Sequence, residues 1–255
     1  MVSLDDCIHS NGTITIADGF YVLSSGDDGV HADTDLAVSG SETIISILKS
    51  YEGMEATNLM ISDGRMEITA SDDGLNAAGG NDASGMGNRP GMGGFSSSTG
   101  RIVISGGTVT LYASGDGLDA NGTLSITGGN VTVVGPINGD TAVLDFNTTG
   151  TITGGTFIGV GSANMAQNFS SSSSQGAMLV KTGTQSEGTT IRLADSSGKE
   201  LLSYTAQQSF SCVILSHPSI VQGNTYTLTV GSSSTTVTMS STVYGSSGNG
   251  GGMDR

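Results

Sequence analysis

Apolar residues recur along the first two thirds of the chain in short alternating pairs, each followed three residues later by glycine. Ile14/Ile16–Gly19–Tyr21/Leu23 is the first case. Ile61–Gly64–Met66/Ile68, Ile102/Ile104–Gly107–Val109/Leu111 and Leu124/Ile126–Gly129–Val131/Val133 repeat it, and Ile152–Gly155–Phe157 closes the series. Period-two alternation sends one side chain into a core and the next out of it. The intervening Gly, Asn and Asp mark turns. No stretch sustains a 3.6-residue period, so the pattern predicts strands throughout.

A second motif interlocks with the first. Asp27-Asp28-Gly29-Val30-His31-Ala32 returns as Asp72-Asp73-Gly74-Leu75-Asn76-Ala77 and as Gly115-Asp116-Gly117-Leu118-Asp119-Ala120. Weaker copies are Asp5-Asp6-Cys7-Ile8-His9-Ser10, Tyr51-Glu52-Gly53-Met54-Glu55-Ala56 and Ala142-Val143-Leu144-Asp145. Their second residues fall at 6, 28, 52, 73, 116 and 142, except that the last copy has Ala142 at its acid position, so the steps are 22, 24, 21, 43 and 26. The long step is one coil plus a Gly/Met/Ser-rich insert at 81–100, either a disordered excursion or a loop overhanging a binding face.

Three short strands per repeat, repeated about six times, predict a right-handed parallel β-helix over 1–165. Each coil buries its apolar face by stacking on its neighbours. A propeller needs about 40 residues per blade. The pattern stops near Ser170. Residues 166–175 read as a Ser-rich link, flexible over Ser170–Ser174. A small antiparallel β module is predicted over 176–244, with a hairpin turn at Asp195-Ser196-Ser197-Gly198 and a role in capping the open end of the helix. The Gly-rich tail 245–255 is predicted to be disordered.

Charge then narrows the function. With 23 acidic and 8 basic residues the net charge is -15, and no Lys/Arg cluster reverses that field locally. Nucleic acid and anionic membranes are repelled, and no apolar run is long enough to insert in a membrane. Cations and neutral ligands suit such a surface. Cys7 and Cys212 fall in different modules, so a disulfide is not expected.

Stacking the second motif brings equivalent residues within about one strand spacing, roughly 4.8 Å. One column is Asp6, Asp28, Glu52, Asp73, Asp116. Beside it runs Asp5, Asp27, Tyr51, Asp72, Gly115, and three residues downstream His9, His31, Glu55, Asn76, Asp119, Asp145. Neighbouring carboxylates at that spacing repel by about 3.5 kcal/mol at an effective dielectric of 20. They must be solvated, protonated for carboxylate catalysis, or neutralised by a cation. Hard oxygen ligands of this kind fit Ca²⁺. Asp27, Asp28, Glu52, Asp72, Asp73 and Asp116 are the expected metal ligands. Tyr51, Glu55, His31, Asn76 and Asp119 are the expected carbohydrate contacts.

The phrases SSGDDGVHADTDLAVSG, KSYEGMEATNLMISDGRMEITASDDGLNAAGG and ASGDGLDANGTLSITGGNVTVVGP resemble the clostridial-type carbohydrate-binding β-helix proteins that are similar to polysaccharide lyases. The resemblance spans about residues 4–160. It implies a secreted or cell-surface protein with calcium on the helix that binds plant cell-wall polysaccharide, acidic pectin-type polymers or cellulose, without cleaving it. The acids it carries over are Asp27, Asp28, Glu52, Glu55, Asp72, Asp73, Asp116 and Asp119. Ala142 departs from the pattern where an acid belongs, which puts a sixth site in doubt. The rival activity is a calcium-dependent lyase acting by β-elimination. That chemistry needs a basic side chain beside the cation, and Lys49, three residues before Glu52, is the one available there. A structural surface adhesin is the third reading.

Overall fold

The structure is a computed structural model describing residues 1–77, 99–137, 139 and 141–245. Most of the 81–100 insert and the tail past Gly245 lie outside the described residues. The described residues contain strands and no helix.

The strands stack in three parallel columns. The first holds Ile8–Ser10, the start of Val30–Val38, the start of Met54–Ile61, Leu75–Ala77, Leu118–Ala120 and Leu144–Phe146. The second holds Thr13–Ile16, the ends of the same two long strands, Arg101–Ile104, Thr123–Ile126 and Thr149–Ile152. The third runs through Phe20–Ser24, Ile44–Lys49, Arg65–Ala70, Thr108–Ala113, Asn130–Val134 and Thr156–Gly161. Six rungs joined by five pairings make a solenoid of about five turns.

The register follows the repeat. Ile8, Val30, Met54, Leu75, Leu118 and Leu144 are successive partners. Val30 through Leu144 in that row are all 0% exposed, so like side chain stacks on like along the axis. Burying each such side chain contributes about 1.5–3 kcal/mol, a gain that repeats with every coil.

Two glycine positions make the coil possible. Gly19, Gly64, Gly107, Gly129 and Gly155 turn the chain from the second column to the third with φ between 79° and 105°, the left-handed region that side chains disfavour. The other position follows the acid. A Cβ on Gly29 would stand 2.6 Å from the carbonyl oxygen of Gly53, and one on Gly74 would stand 2.7 Å from that of Gly117. The two end rungs depart from this, with Cys7 in the place of glycine at the first and Val143 at the sixth.

Within 166–175 the chain is anchored to the last coil at Phe169, Ser170 and Ser173, whereas Ser171, Ser172 and Ser174 are exposed. Phe169 is buried edge-to-face on Phe157, with ring centroids 5.2 Å apart. The Ser170 N–H donates to the Gly150 carbonyl at 2.6 Å, and the Ile152 N–H donates to the Ser173 hydroxyl at 3.1 Å. Short polar side chains here satisfy the last edge of the second column. The third column ends differently. Phe210–Ser216 pairs antiparallel with Thr156–Gly161, and Ala177–Gln185 pairs antiparallel with Phe210–Ser216. A four-stranded antiparallel sheet (Glu200–Thr205, Thr190–Asp195, Thr225–Val230, Ser233–Thr238) packs over that end. It forms a second core from Ile191, Leu193, Tyr226 and Leu228 against Val134, Val160, Val213 and Leu215. The hairpin turns at Asp195, whose side chain accepts from the Ser197 N–H at 2.8 Å.

Candidate functional site

The acids of the repeat form a ladder along the first column, and most carry a structural load. Asp6 Oδ1 accepts the Asp28 N–H at 2.9 Å, and Asp28 Oδ1 accepts the Glu52 N–H at 3.2 Å. Asp73 Oδ1 accepts the Asp116 N–H at 2.6 Å, and Asp116 Oδ1 accepts the Ala142 N–H. Each acid thus uses one oxygen to satisfy the backbone of the next coil where the chain bends at glycine, and keeps the other for different partners. Solvation was one possible fate for these carboxylates. Instead Asp28 is 2% exposed and Asp73 9%.

The upper part of the ladder holds two histidines. His31 is 0% exposed. Its Nδ1 lies 3.1 Å from Asp28 Oδ2 and 3.2 Å from Glu55 Oε2. The hydrogen bonds it donates to Asp28 and then Glu55 push its pKa up to about 11, so the imidazolium neutralises this stretch from within. His9 stacks on His31 with ring centroids 5.0 Å apart, and its Nδ1 lies 2.7 Å from Asp6 Oδ2. That contact raises the His9 pKa.

The lower part has no such internal cation among the described residues. Ligand oxygens of Asp73, Asp116 and Asp119 lie within 4.8 Å of one another. Burial, then the charge of Asp116, pushes Asp73 up to about 8, although the Asp116 N–H opposes the shift. Burial, then Asp145, pushes Asp119 to about 7 and Asp116 to about 6. Glu52 reaches about 9, from burial first and then the charges of Glu55 and Asp28. Burial also raises Glu55, with His31 opposing. These groups are held in a form that a cation would relieve.

Two further features fit a hard cation in the lower group. Gly115 stands where other coils carry Asp27, Tyr51 or Asp72. A Cβ there would collide with the carboxylate oxygens of both Asp72 and Asp73, so the missing side chain leaves them room. Asn76 is 5% exposed and donates through Nδ2 to Glu52 Oε2 at 2.7 Å. Its Oδ1 is buried without a hydrogen-bond partner, and Asp119 is its neighbour on the next rung. An amide oxygen among carboxylates has no donor to accept from, and it is a good ligand for Ca²⁺. Asp5, Asp6 and Asp27 make a second oxygen-only group at the more open first turn.

The expected carbohydrate contacts divide by burial. His31, Asn76 and Glu55 are 0%, 5% and 8% exposed, inside the ladder, and offer a glycan almost no surface in this conformation. They point away from the apolar core, as alternation requires, but neighbouring rungs cover them. Asp119 is half-buried, and Tyr51 is 45% exposed. The Tyr51 hydroxyl is held by the Asp72 carboxylate, which pushes its pKa up to about 12. Lys49 is exposed at the end of its third-column strand. Arg65 and Arg101 open strands of the third and second columns, away from the ladder. Sequence reasoning missed Asp33, whose Oδ1 lies 3.3 Å from His31 Nε2, and it missed the consequence of Gly115. The latter was visible as a gap in an otherwise bulky column.

Comparison with known proteins adds one finding. No curated protein and no solved structure matches the chain. Residues 1–89, which carry the ladder from Asp6 to Asn76, match the model of a family described as carbohydrate-binding domain-containing protein.

Proposed function

We propose that this is a secreted or cell-surface, non-catalytic polysaccharide-binding protein that holds Ca²⁺ among Asp72, Asp73, Asp116 and Asp119. The ion would link the ladder to the carboxylates of an acidic, pectin-type cell-wall polymer. The observation that carries this reading is the convergence of Asp73, Asp116 and Asp119 within 4.8 Å, beside the partnerless Asn76 Oδ1. The family match over residues 1–89 supports a glycan as the ligand class. Electrostatics supplies the need for the ion. A chain at -15 repels a polyuronate unless a divalent cation stands between the two sets of carboxylates. Calcium takes six to eight oxygens, and with one ligand atom from each acid positions remain for ligand and water. Tyr51, exposed beside Asp72, is placed to lay its ring against a sugar.

Affinity electrophoresis tests this directly. The protein should be retarded by polygalacturonate in calcium and run freely in chelator, and Asp72→Ala/Asp73→Ala should abolish the retardation. Retardation that persists in chelator would overturn the cation bridge and favour a neutral glycan such as cellulose. Unsaturated, ultraviolet-absorbing ends that disappear in Lys49→Ala would establish the lyase instead.

A further inference from the structure

We propose that Asp28, His31 and Glu55 form a second metal site, selective for a borderline divalent cation of the zinc class and distinct from the oxygen-only group lower in the ladder. The three side chains come from adjacent rungs, with His31 directly paired to Glu55 in the parallel register. Their ligand atoms lie within 4.8 Å of one another, and all three residues are buried. Zinc bonds of about 2.0–2.2 Å give a tetrahedral shell whose edges are about 3.4 Å. The His31 Nδ1 separations of 3.1 Å from Asp28 Oδ2 and 3.2 Å from Glu55 Oε2 are already close to that edge. An ion can replace the shared proton with shifts of a few tenths of an ångström.

Ligand chemistry sets the selectivity. Calcium takes oxygen ligands, whereas an imidazole nitrogen with two carboxylates suits zinc, cobalt and their neighbours. An independent sign comes from the far side of the ring. His31 Nε2 is fully buried and makes no hydrogen bond. Asp33 Oδ1 stands 3.3 Å away, off the N–H direction. When Nδ1 binds a metal, the proton must sit on Nε2, and a carboxylate behind the ring is the usual means of holding that tautomer. Asp33 needs only a small rotation to take this role. Glu52, which feels the charges of Glu55 and Asp28 and whose Oε2 accepts from Asn76 Nδ2, is a source of a fourth ligand.

Cobalt is the probe, because tetrahedral Co²⁺ absorbs strongly in the visible and zinc does not. Chelator-stripped, full-length protein should take up one equivalent of cobalt with tetrahedral d–d bands. Equimolar zinc should bleach them, and a hundredfold excess of calcium should not. His31→Gln should lose the bands, while Asp119→Asn should titrate like the parent. If His31→Gln does not fold by circular dichroism, Asp33→Asn decides the matter, with cobalt affinity expected to fall at least tenfold. The proposal is overturned by absent or octahedral bands, by bands that survive in His31→Gln, by displacement with calcium, or by unchanged affinity in Asp33→Asn. No glycan enters these titrations, so their outcome is independent of the polysaccharide reading.

Discussion

Removing the charge of Asp73 should stabilise the metal-free protein and weaken the calcium-loaded one. Asp73 rises from 3.8 to about 8 on folding, chiefly through burial. A carboxyl raised in the folded state costs nothing below its unfolded pKa, and its cost grows as pH climbs toward the folded value. At about 1.4 kcal/mol per unit, the cost at pH 7 is on the order of 4 kcal/mol, a large share of the 5–15 kcal/mol that holds a typical domain together. His31 acts in the same direction. Its pKa rises from 6.5 to about 11, so its contribution is complete below pH 6.5 and is lost as pH rises toward 11. In chelator, urea denaturation should therefore give a higher unfolding free energy at pH 5 than at pH 8. Asp73→Asn keeps an oxygen for the Asp116 N–H, which now bonds Asp73 Oδ1 at 2.6 Å, and removes the charge. At pH 8 in chelator it should gain a few kcal/mol over the parent, and in saturating calcium the order should reverse. A metal-free parent whose stability is flat or increases from pH 5 to 8, or an Asn variant that is weaker in chelator, would refute the reasoning.

Other substitutions probe the frame around the ladder. Leu118→Ala, at a fully buried rung, should cost about 2–5 kcal/mol in the same denaturation assay. Gly74→Ala puts a Cβ 2.7 Å from the Gly117 oxygen and should cost about 1–3 kcal/mol by forcing the coils apart, again read by denaturation. Ser173→Ala removes the acceptor of the Ile152 N–H and should lower stability by about 1–3 kcal/mol, measured as a shift in urea midpoint. Tyr51→Ala should leave the melting temperature within a few degrees and weaken polygalacturonate retardation, because close to half of the residue is in solvent.

The solenoid was legible because its repeat states the register twice, once in the apolar pairs and once in the acidic phrase. Val30, Met54, Leu75 and Leu118 could be laid over one another before any coordinates existed. The depth of the ladder was not legible. Alternation sends His31, Glu55 and Asn76 outward from the apolar core, and outward ordinarily means exposed. Here the acids at the bend fold over them, a consequence of backbone geometry at Gly29 and Gly74 that no side-chain pattern encodes. The serines at 170–174 misled for a related reason. Composition marks them as pliable, yet Ser170 and Ser173 bond an edge strand that would otherwise lack partners.

The bonds in which a ladder carboxylate accepts a backbone amide run one way along the chain. Asp6 serves residue 28, Asp28 serves 52, Asp73 serves 116 and Asp116 serves 142; in every case the acceptor is synthesised before the donor it receives. At ribosomal rates of about 5–20 residues per second, a new coil of ordinary length emerges every one to five seconds. It arrives at a finished platform whose carboxylate already faces the incoming amide. The main chain makes the reverse exchange: the Gly29, Gly53, Gly74 and Gly117 amides donate to carbonyls of the coil that follows. A coil added to those already synthesised therefore finds acceptors in their side chains and donors in their main chain.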